Sequence, residues 1–120
     1  MPIPNNALKE RLSKSSEITI TVTGRKSGRT ISIPIWFAFD GDRLYFVPVK
    51  GSDTQWYKNV LKNPLIRVET DGTKAELKAV PVTDPKQVSS VVEKFREKYG
   101  PSDVKKYYSK FDVAIVVPMQ

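Results

Sequence analysis

Residues Thr23–Trp36 read T-G-R-K-S-G-R-T-I-S-I-P-I-W, and the elements on both sides are organised around this stretch. Gly24 and Gly28 enclose the tripeptide R-K-S at 25–27, which predicts a tight turn with cationic side chains. Successive N–H groups in such a turn can converge on an anion, and Arg29 adds a third positive charge. Two interpretations are open, an anion-binding corner or an ordinary solvated hairpin loop.

The composition excludes several classes of chemistry. The chain has 120 residues with no cysteine and no histidine, which excludes disulfides, thiolate or imidazole metal sites and Ser-His-Asp catalysis. No metal site is predicted, and an enzyme of this composition is expected to take its chemistry from a bound cofactor. One domain over 1–120 is expected, with residues 1–16 as an N-terminal arm and a short helix.

Charge and hydropathy limit the possible partners. The 20 Lys and Arg against 13 Asp and Glu give a formal net charge of +7, which favours nucleic acid, phosphorylated cofactors or acidic lipid. No apolar run approaches the ~20 residues that cross a bilayer, so a cytoplasmic protein without a membrane span is expected. With 39% hydrophobic residues, the core is expected to be thin and completed by a second copy, which predicts a homodimer.

The segments that flank the basic turn have the period of β-strands. Before it, aliphatic residues at 18, 20 and 22 alternate with threonines at 19, 21 and 23. After it, the face predicted to enter the core comprises Ile31, Ile33, Ile35, Phe37 and Phe39. The opposite face comprises Ser32, Pro34, Trp36 and Ala38. Because Pro34 cannot donate to a ladder, an edge or bulge is expected near it. The small-residue face either holds a flat ligand or is covered by a helix.

Turn signals and capping patterns predict the elements that follow. A hairpin turn at 40–42 leads into a strand over 43–49. The capping-box spacing of Ser52 and Gln55 predicts the start of a helix that ends at Asn63-Pro64. The apolar stripe of this helix consists of Trp56, Tyr57, Val60 and Leu61.

The C-terminal half contains a second hairpin and the longest helix. The hairpin is predicted over 65–70 and 73–82. Asp84-Pro85 opens a helix with apolar residues at 88, 91, 92, 95 and 99, which ends at Gly100-Pro101. A short helical turn within 102–110 and a central strand over 111–117 complete the chain. The expected fold is mostly β with flanking helices, as a six-stranded antiparallel barrel whose openings the helices cover.

The order of several motifs resembles the deazaflavin-dependent nitroreductase family. The motifs are T-G-R-K-S-G at 23–28, Pro34 with an aromatic residue two positions on, D-G-D-R-L-Y at 40–45, V-K-G at 49–51 and W-Y-K-N at 56–59. That family belongs to the split β-barrel flavin and deazaflavin oxidoreductases, relatives of pyridoxamine phosphate oxidase. The resemblance implies a homodimer that binds the deazaflavin coenzyme F-420 or FMN. It also implies hydride transfer between this cofactor and a small organic acceptor.

The resemblance also assigns residues to the cofactor, position by position. Those near its anionic tail are Arg25, Lys26 and Ser27, with Val49 and Lys50 near the phosphate. Those around its ring are Ser32, Pro34, Ile35 and Trp36, and those on the helix that closes the pocket are Trp56, Tyr57 and Asn59. A late tyrosine, Tyr107 or Tyr108, corresponds to the substrate side. No catalytic acid or base is assigned. The chain departs from the family pattern at Ile31, where many members have arginine, and in a shorter segment over 52–55.

Two other functions are compatible with the sequence. One is a non-catalytic split barrel that binds a flavin or a haem-like ligand. The other is a small basic barrel that binds nucleic acid, in which Trp36, Tyr45 and Tyr57 stack on bases while Arg25, Lys26, Arg29 and Lys50 follow the backbone. The spread of basic residues along the whole chain argues against nucleic acid, as do aromatic positions on apolar faces.

Overall fold

The computed structural model describes Leu12 and residues 17–40, 43–70 and 72–118. In these ranges, two four-stranded sheets pack around a shared core, and the strands within each sheet are antiparallel. The strands are β1 (Ile18–Thr23), β2 (Thr30–Ile35), β3 (Ala38–Phe39), β4 (Arg43–Phe46), β5 (Leu65–Thr70), β6 (Thr73–Lys78), β7 (Val80–Val82) and β8 (Ala114–Pro118). The helices are α1 (Gln55–Lys62), α2 (Pro85–Tyr99) and α3 (Pro101–Tyr107). This is the predicted split β-barrel, although the strands are more numerous than the six expected.

The first sheet has the order β2-β1-β5-β6, and the second has the order β3-β4-β8-β7. In β1, Ile18, Ile20 and Val22 point inward and are buried, as their alternation predicts. Strand β2 lies at the edge of the first sheet, where Pro34 faces Thr19. The predicted edge is therefore confirmed, since proline cannot supply an N–H to a further strand.

The predicted strand over 31–39 is interrupted. Strand β2 ends at Ile35, Trp36 and Phe37 belong to no strand, and β3 joins the second sheet. Three residues of the predicted core face, at 33, 35 and 39, pack against the core, but Ile31 is 41% exposed. The prediction that Ile31 is buried is therefore wrong. Ile31 lies near the start of the edge strand, where the strand extends past the core.

Part of the opposite face is covered by a helix. Trp36 and Ala38 pack in a second apolar cluster with Val88, Val91 and Phe95 of α2. Asp84 caps this helix by accepting a hydrogen bond from the N–H of Gln87 at 3.1 Å, as predicted. Helix α2 therefore forms the outer layer against the second sheet.

The start of α1 differs from the prediction. Ser52 lies in a 3₁₀ turn, Gly51–Asp53, and Thr54 occupies the N-cap position of α1. The Ser52 N–H and hydroxyl donate to the two carboxylate oxygens of Asp112 at 3.0 and 2.6 Å. A partner 60 residues away thus takes the groups that the capping box would have used. Leu61, predicted to be part of the apolar stripe, is exposed.

Three other predicted strands have different bounds. The strand predicted over 43–49 ends at Phe46, and the one over 73–82 is divided at Ala79 into β6 and β7, which lie in different sheets. The last strand, predicted over 111–117, spans Ala114–Pro118. It lies between β4 and β7 and is mostly buried, so its predicted central place is confirmed.

Some predictions fall outside the described residues. These include the arm and helix over 1–16, of which only Leu12 is described and is buried in the main core, and part of both hairpin turns. In the portion of the chain that can be described, no helix has the length and apolar character needed to cross a membrane.

Candidate functional site

A cavity of about 340 Å³ lies beside the point where the chain passes from β2 to β3. Its lining residues are Glu17, Pro34, Ile35, Trp36, Val47, Val49, Trp56, Tyr107 and Tyr108. Among these described residues, Glu17 is the single carboxylate, and there is no lysine or arginine. A concave, mostly apolar surface with a few polar groups is typical of sites for small molecules and cofactors.

Trp36 forms a flat wall that three tyrosines hold in place. Its ring stacks on Tyr99 with a centroid distance of 4.1 Å and an interplanar angle of 10°. Tyr107 and Tyr108 approach the indole edge-on, at 5.5 and 6.1 Å. Because stacked and edge-on contacts both restrict the indole, the wall is fixed before any ligand binds.

Tyr108 places a buried hydroxyl-bearing side chain in the lining. The residue is 6% exposed, and burial, with a smaller contribution from Tyr99, raises the pKa of its phenol. It therefore stays protonated at neutral pH and is able to donate to a bound ligand.

Two loops meet at the mouth of the cavity and are joined by polar contacts. Val49 and Tyr107, which are 44% and 52% exposed, lie at this rim. The Val49 carbonyl accepts the N–H and hydroxyl of Ser109 at 2.9 and 3.2 Å. Lys110 Nζ lies 3.3 Å from a carboxylate oxygen of Asp53. The segments 49–53 and 109–112 are thus tied together, which fixes the shape of the rim.

The basic turn over 24–29 is docked on α1 by one arginine. Asn59 Oδ1 accepts the backbone N–H of Arg25 at 3.1 Å and its Nη1 at 2.7 Å. The Nη2 group donates to Gln55 Oε1 at 2.8 Å. Asn59 is 5% exposed, and Arg25 supplies the hydrogen-bond donors that its buried amide oxygen needs.

The backbone of the turn is mostly satisfied within the protein. The N–H of Gly24 donates to the Arg29 carbonyl at 2.7 Å, and that of Gly28 to the Gly24 carbonyl at 3.0 Å. The Arg29 N–H donates to the Ser27 hydroxyl at 3.2 Å. These N–H groups are therefore not available to an anion. The exposed side chains of Lys26 and Arg29, which form no ion pair with a described residue, remain available for that role.

The comparison with protein families decides the relationship. The sequence matches the family model of F420H(2)-dependent quinone reductases over residues 4–120. The chain belongs to this family. The membership confirms the resemblance to deazaflavin-dependent oxidoreductases drawn from the motifs.

Solved structures share the fold of this quinone reductase family member. The F420-H2 dependent reductase FDR-A is 21% identical, with 85% of this chain and 93% of that chain covered and a TM-score of 0.67. A structure described as an F420 reductase is 24% identical over 98% and 94%, with a TM-score of 0.61. A domain-swapped dimer is 19% identical over 95% and 98%, with a TM-score of 0.68. Identities this low show the split-barrel fold alone.

The residues assigned from the family resemblance fall into two places. One group lines the cavity and comprises Pro34, Ile35, Trp36, Val49, Trp56 and Tyr107. The other lies in and under the basic turn and comprises Arg25, Lys26, Ser27 and Asn59.

The three remaining assigned residues lie outside both groups. Ser32 lies on the edge strand β2, and its hydroxyl forms a hydrogen bond of 2.8 Å with the hydroxyl of Thr21 on β1. Lys50 is exposed near the rim, and its N–H donates to the Thr54 hydroxyl. Tyr57 is buried in the main core, where burial and then Asp112 raise the pKa of its phenol.

The structure adds Glu17 and Val47 to the lining, and it includes Tyr108, which the sequence named only as an alternative to Tyr107. Nothing in the local sequence marks Glu17 as a site residue, because its position depends on where β1 begins. The aromatic surface proposed for nucleic acid is reduced, since Tyr45 and Tyr57 are both buried and cannot stack on bases.

Proposed function

We propose that this protein binds the deazaflavin coenzyme with its ring against Trp36 and catalyses hydride transfer from the reduced coenzyme to a quinone. The family match over residues 4–120 is the observation that carries this proposal. The cavity supports it, because a wall of Trp36, Trp56 and aliphatic side chains suits a planar ring.

The distribution of charge fits the two parts of such a coenzyme. The cavity lining has a single carboxylate, Glu17, and no cation among the described residues, which suits a neutral ring better than an anionic tail. Lys26, Arg29 and Lys50 are exposed outside the lining and would contact the anionic tail. This division favours a coenzyme with a long charged tail over plain FMN.

The coenzyme, when bound, supplies the hydride, and a quinone that takes up this hydride and one proton becomes a quinol. The protein residues would orient the reactants and exclude water. Trp36 would stack on the ring, since three tyrosines already hold the indole in one plane. The Tyr108 hydroxyl would donate a hydrogen bond to the quinone oxygen that gains negative charge, because burial keeps this phenol protonated.

A homodimer is part of the same proposal. The first sheet leaves Ile31 and Leu65 exposed, at 41% and 58%, and large exposed apolar residues favour association. A structural neighbour of this chain is a domain-swapped dimer. Light scattering after size exclusion at micromolar concentration should give the mass of two chains. The mass of one chain would contradict this part of the proposal.

The activity is tested by mixing purified protein with the reduced deazaflavin coenzyme and a water-soluble quinone, and by following oxidation of the coenzyme. We expect oxidation to require both protein and quinone, and to fall at least about tenfold in Trp36→Leu. Tyr45→Phe is the control, since Tyr45 lies outside this cavity lining and donates to Asp40. Turnover with reduced FMN but not with the deazaflavin coenzyme would overturn the proposal. Saturable binding of the coenzyme without turnover would instead favour a carrier.

A further inference from the structure

Between β2 and β3, one buried residue lies outside both sheets, so no neighbouring strand forms hydrogen bonds with its backbone. Strand β2 pairs with β1 in the first sheet, and β3 pairs with β4 in the second. Phe37 belongs to neither strand and is fully buried. A buried peptide group needs hydrogen-bond partners, so another part of the chain must supply them.

Tyr99, the last residue of α2, supplies both. Its hydroxyl accepts the N–H of Phe37 at 3.1 Å and donates to the Phe37 carbonyl at 2.9 Å. The ring of the same residue stacks on Trp36 at 4.1 Å. Lys98 Nζ is a second donor to the Phe37 carbonyl at 3.0 Å. The carbonyl therefore has two donors, whereas the N–H depends on Tyr99.

We propose that Tyr99 is a positioning residue of the cavity. Its ring fixes the plane of the Trp36 indole, and its hydroxyl fixes the backbone at Phe37. Tyr99 does not itself line the cavity. It acts through Trp36, the wall against which the ring of the coenzyme is proposed to stack, so the ligand part of this inference rests on the proposed function. The placement of Trp36 and Phe37 does not.

The hydroxyl is suited to hold both bonds under physiological conditions. Burial raises the pKa of Tyr99 to about 12, in spite of the hydrogen bond to Phe37, which lowers it. The phenol therefore remains a donor across the neutral range. Gly100 follows with φ of 94° and ends the helix, so Tyr99 lies at a defined helix terminus.

Four variants separate the parts of this arrangement. Tyr99→Phe removes the hydroxyl and keeps the stacked ring, whereas Tyr99→Leu removes both. Lys98→Met removes the second donor to the Phe37 carbonyl and leaves the N–H bond intact. Tyr45→Phe is the matched control, because it also deletes a tyrosine hydroxyl that donates to a side chain, Asp40 at 2.6 Å, outside this cavity.

The first measurement uses the protein without added ligand. Amide hydrogen exchange of Phe37 and the indole N–H resonance of Trp36 are recorded by NMR. We expect Tyr99→Phe to raise the Phe37 exchange rate by about tenfold, as for loss of one buried hydrogen bond, and to shift the Trp36 resonance. Lys98→Met and Tyr45→Phe should leave the Phe37 rate within about twofold. Unchanged Phe37 protection and an unchanged Trp36 resonance in Tyr99→Phe would overturn the proposal.

The second measurement titrates each variant with the deazaflavin coenzyme. We expect Kd to rise about fivefold in Tyr99→Phe and more in Tyr99→Leu, with the Tyr45→Phe value unchanged. Unchanged affinity in Tyr99→Leu, in a folded protein, would overturn the link between Tyr99 and the ligand. If the wild type does not bind the coenzyme, the proposed function fails, while the ligand-free NMR still decides the role of Tyr99.

Discussion

The cavity beside Trp36 and the basic turn over 24–29 are built by different interactions. Aromatic contacts from residues 99, 107 and 108 hold the cavity wall, and these lie more than 60 positions from Trp36 in the sequence. Polar contacts from one helix hold the turn, mainly through Asn59. The cavity is thus apolar, whereas the turn presents exposed charge.

This difference is the basis of the proposal that the cavity binds a neutral ring and the turn binds an anionic tail. Helix α1 joins the two regions, since Trp56 lines the cavity and Asn59, one turn further on, holds the basic turn. A change in the contacts of α1 is therefore expected to affect both regions. A change within either region is expected to affect only that part of recognition.

The glycine at the rim of the cavity should be less replaceable than the glycine in the turn. Gly51 has φ of +57°, and a Cβ added there would collide with the carboxylate of Asp112. Gly28 has φ of +72° but has nothing within 4 Å of an added Cβ. We expect Gly51→Ala to lower the free energy of unfolding by about 3 kcal/mol or more, and Gly28→Ala by about 1 kcal/mol. Urea unfolding measures both, and equal losses would contradict the close packing of the rim.

Loss of the buried amide that holds the turn should have an intermediate effect. Asn59→Ala leaves the Arg25 N–H and guanidinium without their shared acceptor, so we expect a loss of about 2 kcal/mol in the free energy of unfolding. Gln55→Ala removes only an exposed contact of the same arginine and should cost less than about 0.5 kcal/mol. Equal stability of the two variants in denaturant titrations would show that Arg25 is not docked as described.

The exposed charges of the turn should affect binding and not stability. Replacing Lys26 or Arg29 by glutamine is expected to raise the Kd of the deazaflavin coenzyme about two- to fivefold at low salt. The effect should shrink at moderate salt because exposed charges are screened. Lys86→Gln, on α2, is the control. A change in thermal stability without a change in Kd would assign these residues to the fold.

The smallest expected effect is a pH dependence of the free energy of unfolding. It comes from Lys98, which lies beside Tyr99 behind the cavity wall. Burial lowers the pKa of Lys98 from 10.5 to about 8. Between these values the unfolded chain binds more protons than the folded one, so stability should rise with pH through this interval. The pKa of Tyr99 is raised from 10.0 to about 12, so this phenol opposes the rise from about pH 10 upward, where the unfolded chain loses the proton that the folded chain keeps. Lys98→Met should reduce this rise in denaturant titrations between about pH 8 and 9.5, below the range in which the phenols act. An unchanged rise would show that Lys98 titrates as a solvated lysine.

Local patterns predicted much of the fold. The alternation in β1, the cap of α2 by Asp84 and the apolar strand β8 are all encoded within a few residues, and each was found. The basic turn was found as well, because its glycines and polar residues are turn formers. These local features do not depend on where the segment lies in the barrel, so the sequence of the segment alone is enough to predict them.

The interruptions of the strands depend on distant partners and could not be predicted locally. Phe37 leaves the sheet where Tyr99, 62 positions away, takes over its hydrogen bonds. Likewise, Ser52 bonds to Asp112 and does not cap the helix. The candidate site was predicted in part for the same reason, since Trp36 and Trp56 belong to recognisable motifs, whereas Glu17 and Val47 join the lining only through the fold.

The central claim is that the apolar cavity takes the ring and the basic turn takes the anionic tail of one ligand. A titration of the deazaflavin coenzyme tests it directly, followed by tryptophan fluorescence at low and moderate salt for the wild type, Trp36→Leu and Lys26→Gln/Arg29→Gln. We predict one-to-one binding, a loss of affinity of about tenfold or more in Trp36→Leu at both salt concentrations, and a smaller loss in the charge variant that salt removes. Equal affinity of the wild type and Trp36→Leu, or no saturable binding by the wild type, would contradict the account.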